Sequence, residues 1–156
     1  MNFATRKATA DDARQLALLL GGIGWFDVFD SGTIDASTAR VSARLRECLA
    51  DESHSIYVAE TPAREIAGYG SVHWLPYLFM AGPEGYVSEL FVRESARGQG
   101  VGRQLLIAIE KEARTRGCQR LSLINLRQRE SYQRQFYVKA GWQERAEAAN
   151  FVYSLS

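Results

Sequence analysis

Apolar residues recur along the chain with two periods, and each change of period marks an element. In "TADDARQLALLLGG", residues 9–22, Leu16, Leu19 and Leu20 stand at helical spacing behind Thr9 or Asp11 as N-cap, with Gly21-Gly22 as the expected stop. In "DASTARVSARLRECLAD", residues 35–51, Val41, Leu45, Cys48 and Leu49 stand at i, i+4, i+7 and i+8 with arginines between them, which predicts a second helix. A third is predicted over 98–116, where Val101, Leu105, Ile109 and Ala113 form one stripe that Gly117 closes. Alternating or β-rich runs predict strands at 3–8, 54–60, 65–75, 85–92 and 120–126, with a turn through Thr61-Pro62 between the second and third. "ESYQRQFYVKAG", residues 130–141, predicts a short helix and "FVYSL", residues 151–155, a closing strand. The order is β-rich in the middle and βαβα at the end. It predicts an α/β (α+β mixed) fold, a mixed sheet covered by helices.

Composition and charge narrow the function. A chain of 156 residues, 46% hydrophobic and 24% charged, is most simply one globular domain, 1–156, with an ordinary core. The net charge of +1 and a pI of 7.8 argue against nucleic acid as partner, for which a pI above about 9 is expected. The halves differ: residues 1–89 carry 7 Lys+Arg against 12 Asp+Glu (−5), and residues 90–156 carry 12 against 6 (+6). That asymmetry fits two ligands of opposite sign, or merely solvated faces. Cys48 and Cys118 lie far apart with no CxxC spacing, so neither a disulfide frame nor a zinc site is expected. With only His54 and His73 besides, no metal site is expected at all. The chain has neither the pattern of a secretory leader nor a run of about 18 apolar residues, so a cytoplasmic location and no membrane partner are expected.

The stretch "RESARGQGVGRQLL", residues 93–106, places three glycines in five positions ahead of a helix. Each costs roughly 1 kcal/mol in a helix relative to alanine, so the freedom must serve something. A strand, a glycine-rich turn and a helix start together make an anion site, because the first N–H groups of a helix lack internal partners and its dipole adds positive potential. No glycine here is followed by Lys and then Ser or Thr, which excludes a Walker loop, and Arg103 stands three places after Gly100, which excludes a GxGxxG dinucleotide fingerprint. A general phosphate site remains, beside the plainer reading of a turn that packs helix on sheet.

"ELFVRESARGQGVGRQLL", residues 89–106, resembles the acetyl-CoA-binding motif of the GNAT superfamily of N-acetyltransferases, Q/R-x-x-G-x-G/A after a strand and opening a helix. Here it reads Arg97-Gly98-Gln99-Gly100-Val101-Gly102. "QFYVKAGW", residues 135–142, is similar to the family's F-Y-x-K-x-G-F block, and the element order follows the family along nearly the whole chain. The resemblance implies a sheet of six to seven strands with the fourth and fifth splayed apart, flanked by about four helices. It implies direct acetyl transfer from acetyl-CoA to a primary amine, with CoA as product and no metal. A non-catalytic acyl-CoA-binding or regulatory domain is the alternative.

The resemblance also assigns roles. Backbone amides from Arg97 to Arg103 hold the pyrophosphate, with the charges of Arg97 and Arg103 added. The main chain of Leu90, Phe91 and Val92 pairs with the pantetheine amides, and an amide near Val92 polarises the thioester carbonyl. Tyr137 protonates the departing thiolate, and Glu89 takes a proton from the acceptor amine. Alternation along the strand puts Glu89 and Phe91 on the face opposite Ser88 and Leu90, toward an acceptor cleft or a covering helix. His73 is a second candidate base. The family often has Asn six residues before the Phe of the F-Y pair and Ala three before it, where this chain has Glu130 and Gln133; Asn125 could replace the missing Asn.

The acceptor side implied by the resemblance is "GGIGWFDVFDSGTID" and "WLPYLFMAGPEG". These supply Trp25, Phe26, Phe29, Trp74, Tyr77 and Phe79 with Asp27, Asp30 and Asp35. Aromatics interleaved with carboxylates suit a cationic amine, small or peptidic, or else form a lid or a homodimer contact.

Overall fold

The computed structural model describes residues 2–30 and 32–156, with Asp30 described by its backbone alone. These form two compact units, residues 1–124 and 125–156. In the first unit the elements run β1 (Ala4–Lys7), α1 (Ala13–Ile23), α2 (Asp27–Asp30), α3 (Ile34–Leu49), β2 (His54–Glu60), β3 (Ile66–Leu75), β4 (Glu84–Val92), α4 (Val101–Thr115) and β5 (Arg120–Leu123). The five strands make one sheet in sequence order, antiparallel except for β4 and β5, which run parallel because α4 carries the chain back between them. The second unit holds α5 (Glu130–Gln133) and α6 (Phe136–Lys139).

Among the described residues, five strands replace the expected six to seven. Residues 151–155 join no ladder, and Phe151, Val152, Tyr153 and Leu155 are each at least 85% exposed. β-forming side chains favour a pleated, half-buried surface but cannot create one; a strand persists only where a partner takes its N–H and C=O groups. Among the described residues the helices number six rather than about four. One is the short α2, and two come from the predicted helix at 130–141, which breaks at Gln135, a non-glycine residue at φ 57°. α1 runs through Gly21 and Gly22, because Ile23 packs on the core one turn beyond Leu19, and ends at Gly24 with φ 74°.

Helices cover both faces of the sheet. On one face α1 and α3 bring Leu16, Leu19 and Leu45 onto Ile56, Val58, Ile66 and Tyr69. On the other, the predicted stripe of α4 lies over β2 and β3, with Val101, Leu105 and Ile109 fully buried. Its close approach requires Gly68 and Gly70: a Cβ on Gly68 would stand 2.9 Å from both Val101 Cγ1 and the Phe91 carbonyl, and one on Gly70 would stand 3.0 Å from Ile109 Cδ1. Glu112 fixes the far end of α4 by accepting hydrogen bonds from Ser55, Tyr57, Lys7 and Arg116. The N-terminus of α4 is thereby held where the chain leaves β4.

Candidate active site

β4 changes character half-way along. Its ladder with β5 spans only Glu84–Val87 opposite Arg120–Leu123, so no strand pairs with Ser88–Val92 on that side. On its other side the register with β3 slips: Ser71 opposes Glu89 and Val72 opposes Val87, which leaves Ser88 as an extra, bulged residue. The bulge overturns simple alternation. Ser88 Oγ lies 2.8 Å from His73 Nε2, and Tyr69 donates to Glu89 Oε1 at 3.2 Å; because Tyr69 and His73 share a face of β3, Ser88 and Glu89 stand side by side on the α1–α3 face rather than on opposite ones. Leu90 and Val92 point the other way, into the core under α4.

Burial pushes the Glu89 carboxyl above the usual carboxylate range, and the Tyr69 hydrogen bond only partly offsets this. Cys48 of α3 feels the same carboxylate, which adds to the effect of its own burial in raising the thiol. Two residues on from Glu89, Phe91 centres an aromatic wall: it makes edge contacts with Trp25 at 6.0 Å and Phe26 at 5.4 Å, and is tilted against Tyr69 at 5.9 Å, while Phe26 meets Phe29 at 6.4 Å. Three of the expected acceptor-side aromatics thus gather here. Trp74 does not: it is buried on the α4 face, where Nε1 donates to Ser55 Oγ and the Arg116 guanidinium lies 4.9 Å over its ring. Tyr77 and Phe79 contact one another on the exposed β3–β4 loop. Asp35 pairs with Arg14 at 3.4 Å, and the Asp30 side chain lies outside the described residues. An open cleft between Leu18, Leu19, Gly22 and Ile23 of α1 and Arg93, Glu94 and Ser95 flanks the exit from β4.

Beyond β4, a 3-10 turn at Glu94–Ala96 leads into Arg97–Gly100 and then α4. Gly98 and Gly100 sit at φ 74° and 84°, a region that side chains rarely enter, and no chain atom lies within 4 Å of where either Cβ would be. These glycines therefore serve backbone direction, not packing. The first helical bond of α4 runs from Gln104 N–H to Gly100 C=O, so the N–H groups of Val101, Gly102 and Arg103 precede the helix ladder. Gln99 Nε2 donates to Ser95 O and pins the loop; Arg97 Nε donates to Val92 O at 3.4 Å; Arg103 leans along α4 to Glu110 at 3.3 Å.

In the second unit, the left-handed Gln135 immediately precedes Phe136 and Tyr137. Tyr137 packs against Phe136 at 5.0 Å and Trp142 at 5.9 Å, and Trp142 N–H donates to the Tyr137 carbonyl. Burial pushes the Tyr137 hydroxyl up to about 12. Asn125 lies two residues past the end of β5 rather than on it, and its Nδ2 donates to Ser131 Oγ at 2.9 Å. Among the described residues, no group of three or more His, Cys, Asp or Glu could hold a metal ion, and no helix is long and apolar enough to cross a membrane.

The family model of the acetyltransferase (GNAT) family matches residues 24–142, the stretch that contains the free-edged β4, its bulge and the left-handed glycines ahead of α4. The chain belongs to the GNAT family. An aminoalkylphosphonate N-acetyltransferase of Salmonella typhimurium is 35% identical over 81 residues, 51% of this chain and 51% of that protein. The match thus spans about half the length of that curated relative. A transcriptional regulator from Bacillus halodurans C-125 superposes with a TM-score of 0.78 at 24% identity, covering 97% of this chain and 100% of its own. A glucosamine-6-phosphate N-acetyltransferase from Arabidopsis thaliana gives 0.76 at 23%, covering 99% and 100%. These two likenesses speak for the fold. Within this GNAT fold, Tyr69 and Ser88 flank Glu89 although no motif marked them; the strand pairing at 69–71 and 88–89 is what brings them there.

Proposed function

We propose that this chain, over residues 1–156, is an acetyl-CoA-dependent N-acetyltransferase that moves the acetyl group directly to a primary amine in a ternary complex. The free edge of β4 running into the open glycine loop carries the reading. An extended amide-bearing arm can lie along the free edge at Leu90, Phe91 and Val92, where the main-chain groups of Leu90 and Val92 point away from β3 and Arg97 would release the Val92 carbonyl, while the N–H groups from Arg97 to Arg103 meet a pyrophosphate. Arg97, Gly98, Gln99, Gly100, Val101, Gly102 and Arg103 form that cradle, with Asn125 as a further contact. An N–H near Val92 polarises the thioester carbonyl, Glu89 takes a proton from the acceptor ammonium, and Tyr137 gives one to the departing thiolate.

The half-buried Glu89 carboxylate, bonded to Tyr69 and two residues from Phe91 with its Trp25 and Phe26 contacts, suits a cationic acceptor. The names of the Salmonella relative and the Arabidopsis structure both specify amines that also bear a phosphonate or phosphate, and such amines head the list of acceptors to try. Calorimetry tests the cradle. The chain should bind CoA with micromolar affinity, and Gly100→Asp should weaken it roughly tenfold or more, because a carboxylate there repels phosphate. Gly100→Asn bears the same backbone conformation without the charge and should lose less. Equal affinity in all three proteins would overturn the loop's role.

A further inference from the structure

The bulge in β4 leaves a second group of polar side chains beside Glu89 that the steps above do not use. Both histidines of the chain belong to it. His73 Nε2 lies 2.8 Å from the exposed Ser88 Oγ; His54, opposite His73 in the β2–β3 ladder, stands with ring centroids 4.2 Å apart; and His54 Nδ1 lies 2.6 Å from Ser53 Oγ. The groups facing His73 are His54 from β2 and Ser88 and Tyr86 from β4, the Tyr86 ring at 6.1 Å. Ser53 is tied in turn to Asp51, whose Oδ1 accepts from the Ser53 N–H at 2.8 Å. The line leads from the strand edge across the sheet to an exposed carboxylate.

Amide formation from an ammonium removes two protons from nitrogen: one balances the proton delivered to the CoA thiol, and the other is released to solvent. Glu89 accounts for one acceptance. We propose that Ser88 and His73 relay the other, with His54 setting the point at which His73 gives it up. After the amine attacks, an N–H bond of the cationic nitrogen breaks and its proton passes to Ser88 Oγ as the Ser88 proton passes to His73 Nε2. His73 leaves the step as an imidazolium. Two rings at 4.2 Å oppose double protonation, and burial together with His54 holds His73 below its usual value, so the imidazolium sheds its proton readily. The relay rests on the acetyltransferase reading.

His73 acts through Ser88, so its test needs readouts that a packing role would not move. Ser88→Ala and His73→Gln should each lower kcat roughly tenfold or more with KM for acetyl-CoA unchanged, and the double variant should be no slower than the slower single one. His54→Gln frees His73 from its neighbour and should move the acid limb of the kcat profile to higher pH. Nitrogen-15 NMR of the histidine rings gives an answer without turnover: His73 Nε2 should be the unprotonated, accepting nitrogen at neutral pH, with the hydrogen-bond shift lost in Ser88→Ala. A protonated Nε2, or kcat within about twofold of the parent in both single variants, would overturn the relay. If the parent turns over while those variants match it, the relay alone fails; if the parent releases no thiol with any amine, the acetyltransferase reading fails first.

Discussion

Tyr137→Phe should lower kcat roughly 100-fold while leaving the fold and the affinity for acetyl-CoA intact, the usual scale for loss of a general acid. The change removes one oxygen and keeps the ring that meets Phe136 and Trp142. Burial pushes this phenol up to about 12, so it is fully protonated at any ordinary assay pH. The gap to a thiol of about 8.5 is worth about 5 kcal/mol against transfer to a solvated thiolate. A thiolate expelled into dry surroundings is itself a stronger base, and this offsets the gap. The pH profile follows from the same value: Tyr137 should impose no alkaline limb below about pH 11, so the parent and Tyr137→Phe differ in height and not in shape. An equal fall in kcat and kcat/KM marks a contact made only in the transition state. A rise in KM alone would make Tyr137 a binding residue, and near-normal turnover would remove the acid role and turn attention to Ser131.

Glu89→Gln should lower kcat roughly 100-fold at neutral pH, with the loss shrinking as pH rises toward the acceptor amine's own pKa, where the amine no longer needs a base. The amide keeps an oxygen for the Tyr69 hydroxyl, so the local geometry survives. Stability separates this role from a structural one. The folded-state carboxyl titrates above its ordinary value, so ionised Glu89 costs the native state stability as pH rises through that region, and replacing it by a neutral amide should leave Tm unchanged or higher at neutral pH. For the parent, the acid limb of kcat/KM should lie above the ordinary carboxylate range. Turnover in Glu89→Gln within about twofold of the parent across the profile would show that Glu89 merely partners Tyr69.

The parts legible in the sequence were those fixed by local periodicity. The strands at 54–60 and 66–75 and the α4 stripe appear almost as read, because each places its apolar residues on one buried face. What failed depended on partners. Residues 151–155 have strand composition but no ladder; Gly21-Gly22 stop nothing because Ile23 has a core to reach; and the helix at 130–141 breaks at Gln135 because "ESYQ" buries no residue that would hold the first turn to the second. The glycine loop was legible as chemistry, since glycines crowded about a helix start, of which Gly98 and Gly100 precede α4 and Gly102 lies in its first turn, favour the close approach of an anion. The Ser88 bulge was not. A one-residue slip between strands leaves no trace in either strand's own pattern, yet it decides that Ser88, Glu89 and His73 share a face.

The most direct test of acetyl transfer is thiol release from acetyl-CoA by the purified chain, measured against a panel of primary amines that includes aminoalkylphosphonates, amino-sugar phosphates, polyamines, aminoglycosides and peptides with free N-termini. The expected result is release that depends on one class of amine, saturates in both substrates and yields one N-acetyl product per thiol. Micromolar CoA binding with no amine-dependent release across the panel would contradict it and leave an acyl-CoA-binding regulatory domain, the reading that Glu130 in place of the family's usual Asn favours.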